Sequence, residues 1–208
     1  MLLKKIRLIF VLFICSCCSL YAQVETSTKT AISELYSLIS KNSEMTSDFS
    51  QIVISPNGTQ NLSKGSLSLK KPNLFRWEVD SPAQIIVSNG YKLWSYNKDL
   101  EQVIVQPVPK KVDNAPYLLL LAGHKDVLQS NFFVKKIKNT VFELSPKKAD
   151  SMIKNIRIIF IKGKLVSLRI QTLMDQINIF TFNNQSYKEL PSSLFNLSIP
   201  KGVDILGQ

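Results

Sequence analysis

The chain is 208 residues long and carries 26 Lys and Arg against 15 Asp and Glu, a net charge of +11, with three cysteines and one histidine. That length is enough for one domain with a sizeable core. With so few sulfur and imidazole groups, disulfide frameworks and Cys/His metal sites are close to excluded from the start.

Residues 1–22 form a secretory leader. Lys4, Lys5 and Arg7 make a basic start, Leu8 to Ile14 an apolar run, and Tyr21-Ala22 the end of a mixed stretch, a run too short to span a bilayer as a permanent helix. Cleavage after Ala22 leaves a single domain over 23–208. A second processing route is written in the same stretch, because Ile14-Cys15-Ser16-Cys17 loosely resembles a lipobox whose cysteine receives lipid. Mass spectrometry of the mature N-terminus separates the two. Cys15, Cys17 and Cys18 all lie in the leader, so cleavage after Ala22 leaves no disulfide, cysteine nucleophile or cysteine-bound metal. Removing the three leader cations leaves 23 basic against 15 acidic residues, or +8. Such a surface favours acidic partners or anionic lipid head groups. The lysine pairs 70–71, 110–111, 135–136 and 147–148 fall near turns and strand ends, where solvation alone accounts for them.

The spacing of Ala31, Ile32, Leu35, Leu38 and Ile39 predicts one amphipathic helix over Thr30 to Lys41, with Thr26, Ser27 or Thr28 as its cap. From Met45 the period falls to two. Pro56-Asn57-Gly58 predicts a first hairpin, and turns follow at Pro72-Asn73, Ser81-Pro82, Asn89-Gly90 and Lys98-Asp99. Strands are expected over Leu74 to Val79, Gln84 to Ser88, Lys92 to Tyr96 and Glu101 to Gln106, as a meander. Within the first of them, alternation puts Phe75, Trp77 and Val79 on one face and Leu74, Arg76 and Glu78 on the other. The proline-rich stretch 105–116 stops the sheet. Tyr117 to Ala122 predicts a short leucine-rich helix, with Pro116 in its first turn and an end at Gly123, which must lie on an apolar surface to bury its side chains. Strands resume at Phe132 to Lys138, Val141 to Ser145, Ile153 to Ile161, Leu165 to Gln171, Ile177 to Asn183 and Leu194 to Ile199. Roughly eleven strands are too many for one flat sheet and predict a strongly curled antiparallel one, a mainly β fold.

Chemistry is sparse. His124 sits in an expected loop, the acids are scattered, and no Gly-x-Ser-x-Gly elbow, His-Glu-x-x-His helix or phosphate-cradling loop is present. No enzyme, cofactor or metal is expected, nor any nucleic-acid partner.

Lys71-Pro72-Asn73-Leu74-Phe75-Arg76-Trp77-Glu78 resembles the Arg-Pro-x-x-Phe-x-Trp signature of the outer-membrane lipoprotein carriers of the Lol pathway, the LolA family. Asp48-Phe49-Ser50-Gln51 resembles the family's Phe-x-Gln, and Ser88-Asn89-Gly90-x-x-Leu93-Trp94-x-Tyr96 its Asp-Gly-x-x-Leu-Trp-x-Tyr hairpin. Ala115-Pro116-x-Leu118-Leu119, Phe142-x-Leu144-x-Pro146 and Phe195-x-Leu197-x-Ile199-Pro200-x-Gly202-Val203-Asp204 continue the series in collinear order. The resemblance implies an incomplete β-barrel, lidded by helices, whose concave face holds the acyl chains of a lipoprotein in transit through the periplasm. It implies an acyl-binding cavity of Leu38, Phe49, Phe75, Trp77, Ile86, Leu93 and Trp94, with Leu118, Leu119 and Leu120 in the lid. Lys71 stands where the family has an arginine that latches the lid, keeping the charge but losing the five-donor fork. The implied partners of this monomer are outer-membrane lipoproteins, an inner-membrane releasing ABC transporter and an outer-membrane acceptor lipoprotein. The alternatives are an anchored acceptor of the same fold, which the lipobox would mark, or an envelope lipid sensor or lipid-acting enzyme.

Overall fold

The fold is that of a computed structural model describing residues 29–41, 43–108, 125–148 and 151–207. Helix α1 covers residues 29–40. The strands are β1 Glu44–Ile54, β2 Gln60–Lys70, β3 Leu74–Val79, β4 Gln84–Asn89, β5 Lys92–Asn97, β6 Gln102–Pro107, β7 Phe132–Lys138, β8 Val141–Pro146, β9 Ile153–Ile161, β10 Lys164–Thr172, β11 Ile177–Ser186 and β12 Asp204–Leu206. A second helix, α2, spans Lys125–Asn131, and a single 3-10 turn spans Ser192–Phe195. None of the described helices is long and apolar enough to cross a membrane.

All twelve strands belong to one sheet, in the order β12-β6-β5-β4-β3-β2-β1-β11-β10-β9-β8-β7. Two antiparallel meanders, β1–β6 and β7–β11, are joined because β11 returns to pair with β1, placing Phe182 opposite Phe49. β7 and β12 are the two edges, so the sheet stays open. It is strongly curled. Trp77 on β3 and Phe180 on β11 are separated by two intervening strands, roughly 14 Å in a flat sheet, yet their ring centroids are 5.0 Å apart.

Alternation decides what the two faces carry. The cross-strand row Leu69, Phe75, Ser88, Leu93 and the row Leu67, Trp77, Ile86, Ser95 face the concave side. On the other half of the sheet Leu144, Ile156, Ile158, Leu168 and Phe180 face the same way. These residues, except Ser88, Ile86 and Ser95, belong to one buried cluster, with Ile86 packed against it. Helix α1 lies on that cluster through Ala31, Ile32, Leu35 and Ile39, while Ser33 and Ser37 face solvent. A helix this short is marginal in water, so its order comes from this docking.

The convex side of β4–β6 carries a second core. Ile85, Val87, Val103 and Val105 are buried there with Phe195, which is fully covered. The C-terminal arm covers them as it crosses the outside of β3 and β4, with Arg76 Nη1 donating to the Leu194 carbonyl at 3.4 Å. The arm ends as β12, which pairs in parallel with β6.

Two expectations need correction. The stretch Leu194 to Ile199 is not a strand; Pro191 opens a 3-10 turn that buries Phe195, and the chain then runs extended without ladder partners. The final strand is instead Asp204–Leu206, three exposed residues whose pattern is too short to read. Helix α2 was also not foreseen. The leucine-rich segment 117–122 and His124 lie outside the described residues.

Candidate functional site

The concave face is paved with aromatic rings. Phe49 of β1 stacks on Trp77 of β3 with centroids 4.3 Å apart and planes 28° apart. Phe180 meets both edge-on, at 5.8 Å from Phe49 and 5.0 Å from Trp77, and Phe182 stands 6.4 Å from Phe49. Offset and edge-on arrangements of this kind match ring quadrupoles and contribute about 0.5–1.5 kcal/mol per pair beyond burial. The stack depends on a glycine. A Cβ on Gly65 would stand 2.0 Å from the Glu78 carbonyl and 2.5 Å from the Phe49 ring, so only glycine lets Phe49 lie across β2.

Helix α1 covers this floor, and the interface opens to solvent at the helix's C-terminal end. There Leu38, Met45, Leu69, Phe160, Leu165 and Tyr187 line a small solvent-open pocket, with Lys71 in its wall. Apart from Lys71 and Tyr187 the lining side chains are apolar. The Lys71 ammonium donates to the Ile39 carbonyl in the last turn of α1, where the helix dipole favours a cation. Its own backbone N–H is bonded to the Ser43 carbonyl at 2.7 Å. Burial lowers the Lys71 pKa from the usual lysine range to about 8. Tyr187 donates to Gln185 Oε1 at 2.6 Å, and burial raises its pKa.

Nearby, the start of β1 and the end of β2 are tied to the C-terminal arm. Lys70 Nζ reaches Glu44 at 3.1 Å and the Leu190 carbonyl at 2.7 Å, while Leu190 N–H donates to the Glu44 carboxylate. The Leu190 N–H, ahead of Lys70, holds the Glu44 carboxyl below its ordinary pKa.

Of the residues singled out from sequence, Phe49, Phe75, Trp77 and Leu93 are buried together on the concave face, Ile86 packs against them, and Leu38 is half-buried at the pocket. Trp94 is the exception. It pairs with Val87 and Val105 and therefore faces the convex core, as strand alternation next to Leu93 requires. Lys71 does approach a helix, but the contact shown is with α1. Leu118, Leu119 and Leu120 lie outside the described residues. Sequence reasoning missed the whole second half of the floor, Phe160, Phe180, Phe182, Ile156 and Leu168, although alternation in those strands carried the signal. It also missed Gly65, which only the packing reveals.

What such a face can do follows from its composition. Among the described residues it offers apolar area, covered by a helix held mainly through side-chain burial. Ile32, Leu35 and Ile39 contribute about 1.5–3 kcal/mol each when fully covered.

Residues 40–198 match the family model described as "Outer membrane lipoprotein carrier protein LolA". An outer-membrane lipoprotein carrier protein of Pseudomonas aeruginosa is 33% identical over 206 residues, covering 96% of this chain and 99% of the relative. One from Francisella tularensis is 36% identical over 189 residues, covering 89% and 92%. The solved structure of an uncharacterised conserved protein from Thermus thermophilus superposes with a TM-score of 0.52 at 10% identity, over 84% of this chain and 97% of the other. That last likeness concerns the fold alone.

Proposed function

The chain belongs to the LolA family of outer-membrane lipoprotein carrier proteins, and we propose that it is a periplasmic chaperone that holds the acyl chains of lipoproteins between the inner and outer membranes. The observation that carries this reading is the apolar concave face that β1–β3 and β8–β11 of an open sheet present, covered by a helix that side-chain packing, the Lys71–Ile39 hydrogen bond and the Lys136–Glu34 ion pair hold in place. Acyl chains need apolar area and little directionality, because burial contributes about 25 cal/mol per Å² irrespective of geometry. The same need not to bind too tightly makes α1 useful. A ligand must displace it, so the helix subtracts its own docking free energy from the apparent affinity.

In this reading cargo enters as α1 leaves the floor, starting from the pocket beside Lys71. Phe49, Phe75, Trp77, Ile86, Leu93 and Leu38 contact acyl chains, and Lys71 holds the closed helix through the Ile39 carbonyl. The leader 1–22 directs export, an inner-membrane ABC transporter supplies cargo, and an outer-membrane acceptor lipoprotein removes it. The protein acts as a carrier and performs no chemistry on its cargo.

The test uses one lipoprotein in two forms, acylated and with its lipidated cysteine replaced. Purified protein incubated with membranes that release the acylated form is expected to form a soluble complex with that form only. Equal complex formation with the unacylated form would refute acyl recognition.

A further inference from the structure

The end of the sheet opposite the Lys71 pocket is built unlike an ordinary rim of turns. β10 runs from Lys164, beside the pocket residue Gly163, to Thr172, so its far end lies roughly 30 Å from the pocket mouth. There the β10–β11 turn presents Leu173 and Met174, 55% and 68% exposed, and the chain entering β9 presents Met152, 53% exposed. Turn tips are ordinarily polar. This one is held firmly in shape: Asp175 N–H bonds the Thr172 carbonyl at 3.1 Å, Gln176 N–H bonds Thr172 Oγ1 at 3.1 Å, and Leu173 N–H bonds the Met152 carbonyl at 2.9 Å. The apolar side chains are therefore displayed on a fixed scaffold.

Lysines stand on one side of the tip. Lys154 neutralises Asp175 at 3.2 Å, and Lys147, at the same end of the neighbouring strand, lies 5.4 Å from the ring centre of Phe133, itself 57% exposed. Of the ten Lys and Arg of residues 132–175, Lys147, Lys148 and Lys154 stand at the tip's end of the sheet, whereas Lys138, Lys162 and Lys164 stand at the pocket end. Lysines beside exposed apolar side chains suit an acidic surface as partner.

We propose that the Leu173–Met174 turn, with Met152 and the flanking lysines, is a peripheral membrane-contact site that inserts into the head-group region of anionic phospholipid. The shape favours lipid over protein: the apolar side chains project from a convex tip, which offers no groove or flat patch for a complementary core. Lysines beside an inserted apolar tip add attraction to anionic lipid that falls off with salt. Contact at this end leaves the Lys71 pocket mouth pointing away from the bilayer, so membrane binding and cargo loading use separate surfaces.

Co-sedimentation with vesicles containing phosphatidylglycerol and with vesicles of phosphatidylcholine alone tests the site. Binding is expected to the anionic vesicles only, weakened by added salt, and reduced at least about tenfold in the double variant Leu173→Ser, Met174→Ser. Replacing Lys147 and Lys154 by Gln should weaken binding and flatten its salt dependence, and neither variant should alter uptake of acylated lipoprotein. Failure to bind anionic vesicles, equal binding to both vesicle types, or unchanged binding by the double variant overturns the proposal. So does concentration-dependent self-association that the double variant abolishes, since the tip would then be a surface for a second copy. Lipoprotein uptake is read separately, so a failure here leaves the carrier reading intact.

Discussion

One sheet supports two apolar cores on opposite faces, and they are covered in different ways. The concave core spans β1–β3 and β8–β11 and lies under α1, which is held by side-chain burial, the Lys71–Ile39 bond and a half-exposed Lys136–Glu34 ion pair. The convex core of Ile85, Val87, Val103, Val105 and Phe195 lies under the C-terminal arm, which is fixed at one end by Lys70 and Glu44 around Leu190 and at the other by β12 pairing with β6. In β4–β6 the concave side even turns partly polar, with Gln84, Ser88, Ser95, Gln102 and Gln106 facing inward. The contrast separates a cover that can be displaced from one that is strapped down. Stability and cargo binding should therefore respond differently to damage on the two faces.

The largest expected effect is that of Phe75→Glu. Phe75 is 1% exposed, so losing its packing and burying a carboxylate costs at least about 3–5 kcal/mol, and uptake should fall to background in the same preparation. Phe195→Ala should cost a similar amount, about 3–5 kcal/mol by urea unfolding, yet the folded fraction should load lipoprotein as wild type does. Parallel loss of uptake in Phe195→Ala would erase the distinction between the cores. Next is Gly65→Ala, expected to cost about 1–3 kcal/mol and to weaken uptake, because the new Cβ displaces the Phe49 ring from Trp77.

Lys71→Met sharpens the comparison through pH. The folded Lys71 pKa is about 8 against 10.5 for an exposed lysine, so the unfolded or open state binds more protons between those values. Wild-type stability relative to Lys71→Met should then rise as pH increases from about 8 to 10.5, the deficit being complete below 8. Thermal unfolding of both proteins across that window checks the sign. The smallest effect is expected for Trp94→Phe, under about 1.5 kcal/mol and without change in uptake, since Trp94 faces the convex core.

Much of this was legible in the chain. The Asn57-Gly58 turn and the alternation Phe75, Trp77, Val79 specify local geometry directly, and the β3, β7 and β9 boundaries were read as they stand. Trp94 was misassigned because a family motif lists neighbours without regard to face, whereas strand geometry forces Leu93 and Trp94 apart. The extended stretch after Phe195 looks like a strand in period and propensity, but a strand exists only where an edge is available to pair with it. The role of Gly65 rests on an aromatic ring from the adjacent strand, a tertiary fact invisible in one segment.

The pairing of β11 with β1 has a kinetic side. β1 lies near the start of the chain and its partner is residues 177–186, so Phe49 gains Phe180 and Phe182 only when nearly the whole polypeptide is present. Contacts this distant along the chain close slowly. The aromatic floor thus forms late in synthesis, followed only by the Phe195 turn and β12, and a chain held short of β11 stays without its concave core. Late closure leaves the apolar faces of β1–β3 unpaired against the second meander until β11 arrives.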